Sequence, residues 1–225
     1  MDKKVLLTAL MLVIAAGIAF AQSPSGTDFN REGSETWEGD TATSTPAQGG
    51  NVTELTISQD VQTRLWQAFY GNLTGEVALK DSAGTSTVYD WGALSFTKAY
   101  VFMTRLASVD WTTIQGASVA HIEAEDVALE MDDKTEAVNS TKVDGSAWDN
   151  VQYGSQDISV VFGINMDSGS GWRSPLLYDT TNAEIIYAVY VNQSGQAFNS
   201  QDADYQIIVP TGNLNRDYYV YAFLE

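Results

Sequence analysis

Carboxylates offer this chain its most abundant chemistry. The run EAEDVALEMDD at 123–133 places six acids in eleven positions, and Asp202 and Asp204 stand two apart on the approach to a strand. A pair of acids hydrolyses a glycosidic bond when both are held across it, and spacing along a chain does not establish that. Several oxygens converging on one point bind a hard cation. Calcium is the one ion these residues suggest, with Asp132, Asp133, Asp202 and Asp204 as its candidate ligands. No stretch has the Asp-x-Asp-x-Asp-Gly loop spacing, and solvated acid on an acidic surface accounts for most such clusters.

Other catalytic chemistries are excluded by composition. His121, in AHIEA, is the only histidine, so a two-histidine zinc site cannot form and any Ser-His-Asp arrangement would have to use this residue. There is no Gly-x-Ser-x-Gly elbow and no glycine loop to cradle phosphate, and His121 reads as structural. The absence of cysteine removes thiol catalysis, thiolate-bound zinc and iron–sulfur clusters, and no organic cofactor is indicated.

Aromatic residues and sequons supply the binding candidates. Of six tryptophans, Trp148 in GSAWDN and Trp172 in SGSGWRS lie in polar, Gly/Ser-rich surroundings, where a sugar-stacking role competes with loop packing. Asn51, Asn72, Asn139 and Asn192 each open an Asn-x-Ser/Thr acceptor for a glycan, at an expected strand end or loop. Asn72 directly follows three bulky aromatics in WQAFYGNLTGEV.

These residues need a scaffold, and the pattern is that of strands. Alternation predicts strands at 52–58, 75–81, 87–91 and 98–104, the second and third joined as a hairpin by Asp81-Ser82-Ala83-Gly84. Further runs rich in Val, Ile, Tyr and Phe lie at 158–166, 184–192, 205–210 and 217–225. Between the halves, 118–131 has helical composition while VALEM also alternates, Ser108 could cap a helical turn at 108–115, and 132–155 reads as a long loop. The expectation is an all-β antiparallel sandwich, Ig-like or jelly-roll-like, over 51–225, with a short helical or loop excursion between its halves. Its last strand has two apolar faces, so it is expected to be central or covered, another subunit being one candidate cover.

The leading segments place this domain outside the cell. Lys3 and Lys4, an apolar run and Ala19-Phe20-Ala21 form a signal peptide at 1–21, with cleavage expected after Ala21 and no transmembrane segment retained. Residues 22–50 are rich in Ser, Thr, Gly and acid, as in a flexible tether. Removing 1–21 leaves nine basic against twenty-eight acidic residues, a surface that repels phosphate backbones and excludes nucleic acid as a partner. Dispersed acid with little lysine also suits a high-salt, halophilic setting, where charge repulsion is screened.

Trp66, Phe69, Tyr70-Gly71-Asn72 and Thr74-Gly75, with Tyr89-Asp90-Trp91, YQIIVPTGN at 205–213 and DYYVYAFLE at 217–225, carry a family resemblance. Over about 50–225 the chain resembles uncharacterised exported, acidic, all-β surface proteins of archaea. The resemblance implies an envelope or extracellular location and no reaction. The expected function is therefore a glycosylated structural or adhesive protein of a cell coat, filament or attachment, associating with itself or with other envelope proteins. A carbohydrate-binding or glycoside-active domain on the same sandwich is the alternative.

Overall fold

The central run AYVFMT is buried at every position, so the strand it forms must be covered on both faces and paired on both edges. That strand, β5 (Ala99–Thr104), is the fifth of fourteen in the computed structural model, which describes residues 23–36, 44–49, 51–55, 59–83, 85–166 and 171–225. The signal expected at 1–21, Trp37 and the end of the strand expected at 52–58 lie outside the described residues. In chain order the elements before β5 are β1 (Ser25–Gly26), β2 (Trp66–Gly71), β3 (Glu76–Lys80) and β4 (Thr87–Ala93). After it come β6 (Ile114–Gly116), helices α1 (Val119–Ala128) and α2 (Val138–Thr141), β7 (Val143–Asp144), β8 (Val151–Tyr153) and β9 (Gln156–Ile158). The chain closes with β10 (Phe162–Met166), β11 (Trp172–Asp179), β12 (Glu184–Tyr190), β13 (Tyr205–Pro210) and β14 (Tyr219–Leu224).

The main sheet runs β1-β14-β5-β12-β11-β10-β7, with β6 also on β11. Each pairing is antiparallel. Alternate side chains divide between two cores. Val101, Met103, Leu176, Ile185, Tyr187 and Val189 meet Ile122 and Leu129 of the α1 region and Ile207 and Val209 of β13. Phe102, Leu177, Ile186, Ala188, Tyr221 and Phe223 meet Trp111 and the β8–β9 hairpin on the opposite face. This second core is aromatic: the Trp111 ring lies 5.1 Å from Phe102, 5.4 Å from Tyr221 and 5.7 Å from Tyr153. The architecture is the expected all-β, sandwich-like one with a small helical excursion. Its β2–β13 ribbon joins the motif segments at the two ends of the domain, from Tyr205 against Gly71 to Pro210 against Trp66.

Several local expectations are corrected. Residues 52–55 form no strand, and Val52 and Leu55 are exposed, because among the described residues no strand pairs with them. Residues 108–115 fold as a turn leading into β6, because Asp110 draws the Thr112 amide and hydroxyl into a local turn. The stretch 132–155 contains α2, β7 and β8. The helix at 118–131 does form. Ser118 accepts from the His121 amide at 3.4 Å, and His121 Nδ1 accepts from the Ser118 amide at 3.2 Å, a reciprocal cap with histidine in place of the usual acid. The His121 ring then stacks on Tyr178, with centroids 3.6 Å apart, so the single histidine is occupied by structure.

One acid organises the far end of the sheet. Asp179 is fully buried at the end of β11 and accepts from the Asp110 amide (3.0 Å), the Thr181 and Asn182 amides (2.9 and 3.1 Å) and Asn182 Nδ2 (2.7 Å). Burial alone would raise its pKa, but the bonds from Asn182, Asp110 and Thr181 outweigh it and hold the carboxyl below its ordinary value. Its stabilising contribution is therefore present above the ordinary carboxylate range and is lost as pH falls through the depressed folded value. Asp179→Ala should cost about 2–4 kcal/mol in urea unfolding at neutral pH, because it leaves buried donors unpaired. A loss under 0.5 kcal/mol would show that the loop holds itself.

Candidate functional site

Helix α1 turns two of its acids inward, and both are buried. Asp126 accepts from the Val138 and Asn139 amides at 2.7 and 2.9 Å, which caps α2 from the side. Glu125 receives a two-pronged bond from Arg105, Nη1 to Oε1 at 2.6 Å and Nη2 to Oε2 at 2.7 Å, and a third from the Tyr187 hydroxyl at 3.0 Å. Glu184, at the start of β12, meets the same Arg105 Nη2 through its buried Oε1 as an ion pair. One arginine at the end of β5 thus joins a helix to two strands through two carboxylates.

The electrostatics follow from that sharing. Burial opposes charge on Arg105, but the hydrogen bonds and negative charge of Glu125, followed by the charge of Glu184, hold its pKa above the ordinary value. Glu184 is pushed up to about 7, first by burial and then by the charge of Glu125, with Arg105 and Arg216 only partly offsetting both. An acid titrating near neutrality beside a second acid is the pairing a glycosidase uses. Here the guanidinium occupies the space between the two carboxylates, where a sugar bond would have to lie, and the cluster acts as a buried clamp.

The aspartates expected to gather calcium do other work. Asp132 and Asp133 are exposed, with Asp133 paired to its neighbour Lys134. Asp202 is exposed and its backbone bridges Gln196. Asp204 is a bracket: its amide donates to the Gly71 carbonyl, its carbonyl accepts from the Asn192 amide, and its Oδ2 accepts from the Leu73 amide, all at 2.8 Å. Among the described residues no group of three or more acids or histidines converges as a metal site.

That bracket brings two of the sequons to one corner. Asn72 is exposed between Gly71 and Leu73, and Asn192 is exposed with its Oδ1 accepting from the Ser194 amide. Asn51 is exposed as well. Asn139 differs: it is half-buried in α2, and its Oδ1 is taken by Lys142 Nζ at 2.5 Å. The aromatics before Asn72 hold the corner. Trp66 Nε1 donates to the Glu136 carbonyl at 2.7 Å, Phe69 packs against the first core, and Tyr70 meets Phe198 edge to face at 5.6 Å.

Neither candidate tryptophan is a free platform. Trp172 is 4 % exposed in β11, with Nε1 donating to the Gln196 carbonyl at 2.9 Å. Its loop-like surroundings in sequence conceal a strand whose next residues are Arg-Ser-Pro-Leu-Leu. Trp148 is half-buried. A side chain at Gly163 would strike its ring at 2.1 Å, and the Arg173 guanidinium lies 5.6 Å from that ring. A cleft of about 230 Å³ is lined by Asp149, Gly171, Trp172, Arg173, Tyr190 and Asn192.

Arg105 and Glu184 were not singled out by sequence reasoning. The available signal was a charge directly following one largely apolar run, AYVFMT, and another opening EIIYAVY. Comparison of the chain with protein-family models, characterised proteins and solved structures finds no match.

The clamp has a pH signature. With an unfolded value near 4.5 and a folded value of about 7, Glu184 holds its proton more tightly in the folded state. The resulting stabilisation is complete below the unfolded pKa and is lost as pH rises through 7. The full shift is worth about 3 kcal/mol, which solvent reaching the carboxylate reduces to about 1–2 kcal/mol. Glu184→Gln should melt with wild type at pH 5 and above it at pH 8. A Gln variant less stable than wild type at both pH values would show that the charged form is the one the fold favours.

Proposed function

We propose that the protein is a non-enzymatic structural or adhesive component of an archaeal cell surface, exported by the signal at 1–21 and glycosylated at exposed sequons. The observation that carries this reading is the β3–β4 hairpin. It is a two-stranded sheet of its own, with Leu79 opposite Tyr89 and an edge-to-face Tyr89–Trp91 pair at 4.8 Å. Val77, Leu79, Val88, Tyr89 and Trp91 all stay exposed, Val88 at 71 % and Trp91 at 63 %. A lone hairpin gains little stability in water, and a contiguous apolar group of this kind marks a contact surface. A surface of net charge −18 would keep such subunits soluble until that contact forms.

Asn51, Asn72 and Asn192 support the surface reading by their exposure, whereas Asn139 is the poorest acceptor because α2 and Lys142 hold it. Among the described residues no helix is long and apolar enough to cross a membrane, so attachment would run through the hairpin or other contacts. The carbohydrate-binding alternative is weakened by the burial of Trp172 and the packed ring of Trp148.

Intact mass and electron microscopy of the secreted protein test the reading together. The expected material is an assembly whose mass exceeds the mature chain by glycans on Asn51, Asn72 or Asn192 and not on Asn139. Tyr89→Ser with Trp91→Ser should reduce its association at least tenfold while leaving urea stability within about 0.5 kcal/mol, as befits exposed positions. Sugar turnover, or glycan-array binding abolished by Trp148→Ala, would favour the alternative.

A further inference from the structure

The outer edge of β14 is covered by the start of the segment read as a tether. Ser25 pairs with Ala222 and Gly26 with Tyr221, and the Thr27 amide donates to the Val220 carbonyl at 3.2 Å. On its other edge β14 pairs with β5 along all six residues, so the cover is much the shorter pairing. We propose that this cover is exchangeable, and that residues 23–27 of one copy pair with β14 of a second copy to link subunits.

Four observations point to a second copy as the occupant. First, the segment that fits the edge belongs to this chain, so every copy carries both the strand and its site. Second, every described residue from Asp28 to Gln62 is exposed and outside any helix or strand, so among the described residues the cover is held by buried Pro24 and the short Ser25–Thr27 pairing, with no further anchor along the connection. Third, the 37 residues from Thr27 to Thr63 reach at most roughly 130 Å when extended, enough to span to a neighbour. Fourth, SPSGT at 23–27 and YVYAFL at 219–224 carry no charge, in a chain of net charge −18. Two such bodies repel face to face, and a neutral strand on a long connection joins them at a distance.

The edge also has room. A groove of about 540 Å³ runs beside the cover, lined by Gly26, Thr27, Phe29, Tyr219 and Val220 among others, and Phe29 is 70 % exposed at its rim. Exchange preserves each backbone bond while changing which chain supplies it, so its equilibrium follows subunit concentration.

The inference rests on the reading of a self-associating surface protein, yet the two fail separately. Assembly on cells without exchange overturns the exchange alone, and exchange in a protein absent from the surface overturns only that reading. The chain has no cysteine, so single thiols report cleanly. Full-length mature chains carrying Ser25→Cys and Ala222→Cys are mixed and oxidised, with Ser86→Cys replacing Ser25→Cys as the control. The expected result is a covalent heterodimer at least five times more abundant than in the control and rising with concentration. Heterodimer at the control level, with a Ser25→Cys/Ala222→Cys double variant closing only within single chains, overturns the proposal. Because Ala222 is buried, a labelled peptide of residues 23–29 serves as a second probe. It should bind the chain lacking 23–29 at least tenfold more tightly than the intact chain, and equal or absent binding counts against exchange.

Discussion

The two-pronged bond between Arg105 and Glu125 is the contact on which the arrangement of layers depends. Arg105 lies just past the end of β5, which pairs with both β12 and β14, and Glu125 lies on the helix that covers one face of the sheet. A charge pair taken out of water repays its desolvation only when its geometry is good and its remaining lone pairs are met. Tyr187 meets one of them, from the centre of β12. Helix, β5 and β12 are therefore held in one relative position, and the first core fills the space that this position leaves.

Much of the fold was legible because its strands are unusually apolar. AYVFMT and EIIYAVY contain few polar positions, so their identity as strands did not depend on alternation, and two covered faces follow directly from them. The 75–91 hairpin was legible from its turn. The strand β11 was not, because glycine and serine directly precede it and it carries Pro175, which has no amide to donate. Pro175 lies opposite Gly163 at the point where the partners of β11 change from β10 to β12 and β6, so the residue that hides the strand also marks its transition. Residues 52–55 show the converse. Their alternation suits a strand, but a strand also needs a neighbour, and sequence pattern does not supply one.

The acids show how composition hides roles. The run at 123–133 reads as one patch, yet the helix turns Glu125 and Asp126 inward and leaves Glu123 and Glu130 in water. Asp204 was grouped with Asp202 by spacing, whereas backbone bonds make it the bracket between the turns of Asn72 and Asn192. Burial decides these roles, and burial depends on contacts made far along the chain.

The order of pairing bears on when such a chain can close. Strand β5 finds its partners in β12 and β14, beginning some eighty residues downstream, and β2 waits for β13 at 205–210. A growing or threading chain therefore has no neighbour for its most apolar strand until nearly all of it is present. Contacts this distant in sequence form slowly. The topology itself delays closure, so the two cores can form only once the last strands have been added to the first.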